Sequence, residues 1–173
     1  MKAYIFQQYE YHVWANHKLC AHLQELSEKV YRQELTSVFP TIYEAMAHVY
    51  VVDYNWLSFL EKGGVTDMSA SYLEELKEET DRLVASTAGK RIEELDQMMT
   101  DLSERFMVYL VHHDHLEALC PSGAFQARYL DFVQHLVNHG TYHRGNVTAM
   151  LRQVGHAGTP TDFGFYLYTL TQA

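Results

Sequence analysis

Apolar positions along the chain repeat at intervals of three and four. In the first segment Phe6, Tyr9, Val13, Cys20 and Leu23 share this spacing, widened by Ile5, Leu19 and Leu26. The pattern predicts an amphipathic helix over 3–26, with no Gly or Pro inside it. A linker follows over 27–39. Pro40 and Thr41 then open a second helix, in which Thr41 and Glu44 have capping-box spacing. Its stripe runs through Ile42, Ala45, Val49, Val52, Trp56 and Phe59 and stops at Gly63-Gly64. Ser71 and Glu74 repeat the capping-box spacing, so the acidic stretch behind them, to about Val84, reads as helical though weakly apolar. Gly89 either interrupts that helix or sits inside a longer one.

From Ile92 the stripe strengthens through Leu95, Met99, Leu102, Phe106 and Tyr109, which predicts a third long helix ending near Val111. Residues 112–127 are mixed, with Pro121-Ser122-Gly123 as a turn. A fourth helix spans 129–154 on Phe132, Leu136, Val147, Met150 and Leu151. Gly155 ends it and Pro160 forbids resumption nearby. The tail, Asp162 to Leu170, is aromatic and short. No internal repeat or long linker divides the chain, so residues 1–173 are expected to form a single all-α domain. Four core-forming stripes imply a four-helix bundle. The polar stretch between helices two and three is long enough for a crossover connection.

Composition narrows the function classes. Of 173 residues 47% are apolar, enough for a core. No run reaches the roughly 20 apolar residues that cross a bilayer. The first residues turn polar too early for a signal peptide, so the chain is expected to be cytoplasmic. The net charge of −9 repels phosphate backbones and anionic lipid, and no Lys/Arg cluster offsets it. Nucleic-acid and membrane partners are therefore not expected. Cys20 and Cys120 form no C-x-x-C pair and read as two reduced thiols. Cys20 has no assignable base, so packing explains it better than nucleophilic catalysis.

Eleven histidines change the picture. His135, His139 and His143 follow one another at steps of four in the fourth helix. Each step advances only about 40°, so all three leave one side of the helix. His139 and His143 project beside Phe132, Leu136 and Met150, at the edge of the buried face. An isolated H-x-x-x-H is more often incidental than metal-binding. Here, though, buried neutral imidazoles each need a hydrogen-bond partner, and a shared divalent metal meets that need. His48 stands on the apolar side of the second helix, between Ala45, Val49 and Val52, at a depth suited to facing His139. Three imidazoles from two helices leave coordination positions open, as catalytic sites do and closed structural zinc sites do not. The metal ligands are therefore expected to be His48, His139 and His143.

Several neighbours have plainer readings. His135 is placed behind the ligands or in a structural role. Arg144 projects away from the metal face and reads as an ion pair to a neighbouring helix. His112, His113, Asp114 and His115 read as a solvated loop, and Glu74, Glu75, Glu78 and Glu79 as a solvated face. The tyrosines and tryptophans read mainly as core, with a few available to line an apolar pocket above the metal.

His139-Gly140-Thr141-Tyr142-His143-Arg144-Gly145, with Leu151-Arg152-Gln153-Val154-Gly155 behind it, resembles the H-x-x-x-H-R-G signature of the DinB-like superfamily. Glu44 to His48, followed by Asp53 and Trp56, is similar to that family's second-helix motif, and Tyr11 to Asn16 to its first-helix motif. The resemblance covers nearly the whole chain. It implies a four-helix bundle, often dimeric, with a three-histidine metal site at His48, His139 and His143. One departure is Asn146, where the family commonly has glutamine.

Some members of the family are transferases or isomerases that use a low-molecular-weight thiol. The leading expectation is thus a metal-dependent enzyme that activates a small thiol toward an electrophile, with water activation for hydrolysis as the variant. A non-catalytic, stress-associated metal-binding interaction protein is the rival. A pocket above the metal that is open and lined by convergent polar groups favours the enzyme, and a closed, dry site favours the rival. Three imidazoles suit zinc or nickel first, and iron or copper next.

Overall fold

Long helices dominate because the apolar stripes find partners. The computed structural model describes residues 2–172. In chain order these form α1 (Lys2–Gln24), a single turn α2 (Glu28–Tyr31), α3 (Ile42–Glu61), α4 (Ala70–Thr87) and α5 (Ile92–His112). A hairpin of β1 (Leu119–Ser122) and β2 (Phe125–Arg128) follows, then α6 (Tyr129–Gln153) and α7 (Phe163–Leu170). The chain is mostly helical. α1 packs on α5 and α6, and α3 packs on the same two helices from the other side. Leu19, Leu23, Ile42, Met46, Leu57, Ile92, Leu95, Phe106, Leu136, Val147 and Met150 are buried between them. No helix among the described residues is long and apolar enough to cross a membrane.

The helix ends follow local chemistry. Thr41 Oγ1 accepts a hydrogen bond from the Glu44 amide at 3.1 Å and caps α3. After the C-cap Lys62, Gly63 at φ +76° ends that helix, and Gly64 follows at φ +86°. A side chain there would overlap the Pro121 carbonyl, because residue 65 is tied to the hairpin. Val65 N donates to Pro121 O at 2.9 Å and Gly123 N to Val65 O at 2.8 Å.

α4 starts earlier than its sequence suggests. Ser69, not Ser71, is the cap, accepting from Tyr72 N at 3.3 Å. Asp67 holds the Ser69 amide at 2.8 Å and so fixes the extended turn before the helix. Gly89, at φ +73°, lies just past the end of α4 and separates it from α5.

Three short elements differ from the sequence reading. α2 is a single turn inside the predicted linker. The 112–127 stretch holds β1 and most of β2, too short for a visible alternation, closed over Gly123 at φ +60° with Ser122 opposite Phe125. The aromatic tail is helical. Asp162, two residues beyond Pro160, caps α7 by accepting from Phe165 N at 3.0 Å, so that proline precedes the cap and does not block the helix. Tyr166 of α7 packs with Tyr11, Ala15 and Val137, and α7 thereby docks on α1.

One glycine sets how closely α1 approaches α6. A methyl group on Gly140 would overlap the ring of His12 and lie 2.7 Å from Arg144 Nη1. His12 is 1% exposed and cannot swing aside. Gly145, in the same helix, has nothing within 4 Å of such a methyl. Gly145→Ala is expected to stabilise the protein by about 0.5–1 kcal/mol through helix propensity. Gly140→Ala should instead destabilise it by about 2 kcal/mol through overpacking. Urea denaturation of both variants checks the opposite signs, and a stabilised Gly140→Ala would refute the close approach.

Candidate metal centre

α3 and α6 lie against each other, and their contact line carries three histidines. His139 and His143 are one turn apart on α6, and His48 comes from the middle of α3. His139 Nε2 lies 3.3 Å from His48 Nε2 and 3.0 Å from His143 Nε2. One nitrogen of each ring falls within 4.8 Å of the others, a grouping that could hold a metal ion. Two ligands on one ion at metal–nitrogen distances of about 2.0–2.1 Å stand roughly 2.8–3.0 Å apart in octahedral geometry and roughly 3.3–3.4 Å apart in tetrahedral geometry. The observed separations match those values.

Protonation also favours a cation. Burial is the main cause that lowers the pKa of all three imidazoles. For His139 burial, then the neighbouring His143 and His48, push it down to about 3. The rings are therefore neutral at neutral pH, each with one lone pair to give. If all three Nε2 atoms present lone pairs inward, they repel one another unless a cation sits between them. In that tautomer the proton is on Nδ1, and the Nδ1 atoms of His139 and His143 are buried with no protein partner. The donor set fits a divalent metal.

The surroundings are asymmetric. Phe39, from the segment between α2 and α3, places its ring 5.0 Å from that of His48 and 5.4 Å from that of His143. His143 is buried, while His48 and His139 are only half-buried. A cavity of about 650 Å³ opens between α3, α4 and this segment, with His48 in its wall.

The other sequence-predicted residues separate clearly. His135 is exposed, stands edge-on to Trp56 at 5.1 Å, and lies outside the three-histidine group. Asp114 and His115 are exposed, as a solvated loop requires, and His112 is exposed as the last residue of α5. His113 is not: its ring sits between Tyr109 and Tyr129. Cys20 and Cys120 are free and buried, and burial, followed by Asp96, pushes the Cys20 thiol well up. Asn146 leaves its amide nitrogen buried without a partner.

Arg144 ties α6 to a neighbouring helix, as its sequence reading has it, but through hydrogen bonds and not an ion pair among the described residues. It is 2% exposed. Its Nη1 donates to Asn16 Oδ1 at 2.7 Å and its Nη2 to Thr141 Oγ1 at 3.0 Å. His12, the next member, pairs with Asp53 Oδ2 at 2.8 Å. Tyr11, His12, Asn16, Asp53 and Arg144 thus form a buried polar cluster joining α1, α3 and α6 behind the histidines. The available signal was that all five lie in the quoted helix motifs.

The motifs and the histidine geometry agree with sequence comparison. The profile of the DinB family matches residues 1–172. The chain belongs to the DinB family. Protein DinB of Bacillus subtilis (strain 168) is 40% identical to it, over 97% of this chain and 96% of that protein. Within this DinB-family chain, the H-x-x-x-H-R-G segment thus does two jobs. His139 and His143 face α3, while Gly140 and Arg144 lock α6 against α1.

Proposed function

We propose that this DinB-family protein is a metal-dependent enzyme that activates a low-molecular-weight thiol toward an electrophilic substrate. The observation that carries this reading is the convergence of His48, His139 and His143, with His48 in the wall of an open cavity. A structural site would be closed by four protein ligands, whereas three leave room for a reactant. A divalent metal, zinc or nickel before iron or copper, would lower the pKa of a bound thiol or water by Lewis acidity. The three histidines would hold it, and Phe39 would shield them from bulk water on one side. No cysteine of the chain supplies the nucleophile, since both thiols are buried and raised by that burial. The attacking sulfur is therefore borrowed. Water activation is the second reading, because the same open position serves it. A non-catalytic metal-binding role is less well supported, since the cavity reaches His48.

The same reading takes the four long helices as a four-helix bundle with α4 lying in the long α3–α5 crossover. It takes the protein as cytoplasmic, with no nucleic-acid partner, consistent with the −9 charge. It also takes it as a homodimer. Tyr4 on α1 and Leu167, Tyr168 and Leu170 on or near α7 are exposed, which supports those elements as the contact surface. A monomer mass by light scattering at micromolar concentration would count against the dimer.

The catalytic reading is tested by conjugation assays with glutathione, bacillithiol and mycothiol against several soft electrophiles. Metal-loaded protein should accelerate the reaction and metal-free protein should not. The gain should be largest near neutral pH, where a free thiol of pKa ~8.5 is only a few per cent ionised, and shrink above that pKa. Cys20→Ala should retain it. If no thiol reacts faster with the metal-loaded form, the hydrolytic or non-catalytic reading replaces the transferase.

A further inference from the structure

α4 is an 18-residue helix, yet Thr87 is its one buried residue among those described. It is held to α3 at discrete points. Tyr43 OH donates to Thr87 O at 2.7 Å, and Asn55 Nδ2 donates to Thr80 Oγ1 at 3.0 Å. Between these points the two helices do not close. The cavity of about 650 Å³ lies on one side of the Asn55–Thr80 bond, and a second of about 250 Å³ lies on the other. Asn55 and Thr80 line both. They are two lobes of one groove, divided by a single hydrogen bond between neutral side chains.

The groove has a consistent chemistry. Val51, Val52 and Val84 line the larger lobe, and Trp56, Phe59 and Leu76 the smaller. The smaller lobe has no charged residue, and the larger has Arg32 and Glu44 beside the neutral His48. Arg32 is already engaged: its Nε donates to Glu28 at 2.6 Å, its Nη2 to Lys90 O, and its guanidinium lies over the Tyr43 ring. Glu44 accepts from Thr41 Oγ1 at 3.0 Å. The Arg32 charge is thus paired with Glu28, while Glu44 keeps its charge but is exposed to solvent and not buried in the lobe. The larger lobe has the size of a small-molecule pocket, in the range of about 300–1,000 Å³. Its wall contains His48, so an occupant would end at the histidine cluster.

We propose that the groove between α3 and α4 binds the substrate of the metal centre, and that this substrate is an elongated, uncharged, largely apolar molecule with its reactive end at His48. This rests on the reading of the histidine cluster as a metal centre. The longer lobe takes the portion next to the reacting group, and the Trp56 lobe takes the far end when the Asn55–Thr80 bond yields.

N-phenyl-1-naphthylamine, a neutral apolar dye, tests the groove in the full-length, metal-loaded protein. It should bind saturably at one site per chain. Val84→Phe fills the larger lobe from a half-exposed position on α4 and should weaken binding about tenfold. Leu73→Phe changes α4 at a comparably exposed position outside both lobes and should leave binding unchanged. Absence of saturable binding, equal binding by Val84→Phe and the parent, or equal weakening in Leu73→Phe would each overturn the proposal. Metal content is measured on the same samples. A parent protein that binds dye in the groove but holds no metal would sink the metal reading and, with it, the assignment of the groove's occupant as that centre's substrate. A metal-loaded protein with no groove binding would sink the groove alone.

Discussion

His139→Ala, purified without a histidine tag beside the parent chain, is expected to have lost its divalent metal. His139 Nε2 is the middle atom of the group, 3.3 Å from one partner nitrogen and 3.0 Å from the other. Its removal leaves His48 and His143 with a gap where a third donor stood. The loss in affinity should exceed the roughly 10–100-fold that follows removal of a group merely supporting a ligand. His135→Ala should keep most of its metal, because that ring is exposed and lies outside the group. Elemental mass spectrometry decides the point. Full occupancy in His139→Ala would refute the ligand set, and complete loss in His135→Ala would mean that the wrong pair on α6 was chosen.

The same measurement has a pH signature. Protons compete with metal for imidazole lone pairs, and an ordinary histidine begins to lose that competition near 6.5. Burial moves all three groups below that value, His139 to about 3. A lowered pKa means that fewer protons are bound at a given pH, so competition is deferred to more acid conditions. At fixed free metal, occupancy should therefore persist to more acid pH than in a site built from exposed histidines. Loss of metal at the same pH as from a peptide carrying three exposed histidines, at equal free metal, would refute the lowering.

The long helices and the histidine trio were legible in the sequence for the same reason. Both depend on periodicity along one helix, which survives without knowledge of the partner. His139 and His143 follow from a step of four, and His48 from its place on an apolar stripe. What was not legible depends on contacts across the chain. The hairpin has four-residue strands, too short to alternate visibly, and is held by Val65 from a distant segment. Ser71 lost the cap of α4 to Ser69 because Asp67 organises the turn before it. The partners of Arg144 were misread for a related reason. A helix projection shows that Arg144 leaves the metal face toward a neighbouring helix, which is correct, but not that its partners on α1 are Asn16 and Tyr11 and no carboxylate. Gly140 is what lets α1 come that close, and a single sequence shows a glycine without showing what occupies the space.

Arg144→Ala is accordingly expected to cost about 3 kcal/mol of stability, far above a surface substitution. The guanidinium is among the largest fully buried side chains, and its loss leaves a cavity. It also strips the Asn16 carbonyl of its 2.7 Å donor and removes the cation nearest the buried His12–Asp53 pair. Arg144→Lys should recover only part of this. A single ammonium cannot reach Asn16 on α1 and Thr141 on α6 with the fixed fork that a guanidinium offers. Denaturation should be followed in urea on metal-free protein, since a ligand bound only to the native state would add its own stabilisation to every variant. The midpoint should fall while the slope stays constant. A double-mutant cycle with Asn16→Ala should give a coupling above about 0.5 kcal/mol, the level that separates touching residues from independent ones. If Arg144→Ala costs less than about 0.5 kcal/mol and couples to nothing, it behaves as a surface residue. The lock between α1 and α6 would then have to be sought in Gly140 and the apolar contacts alone.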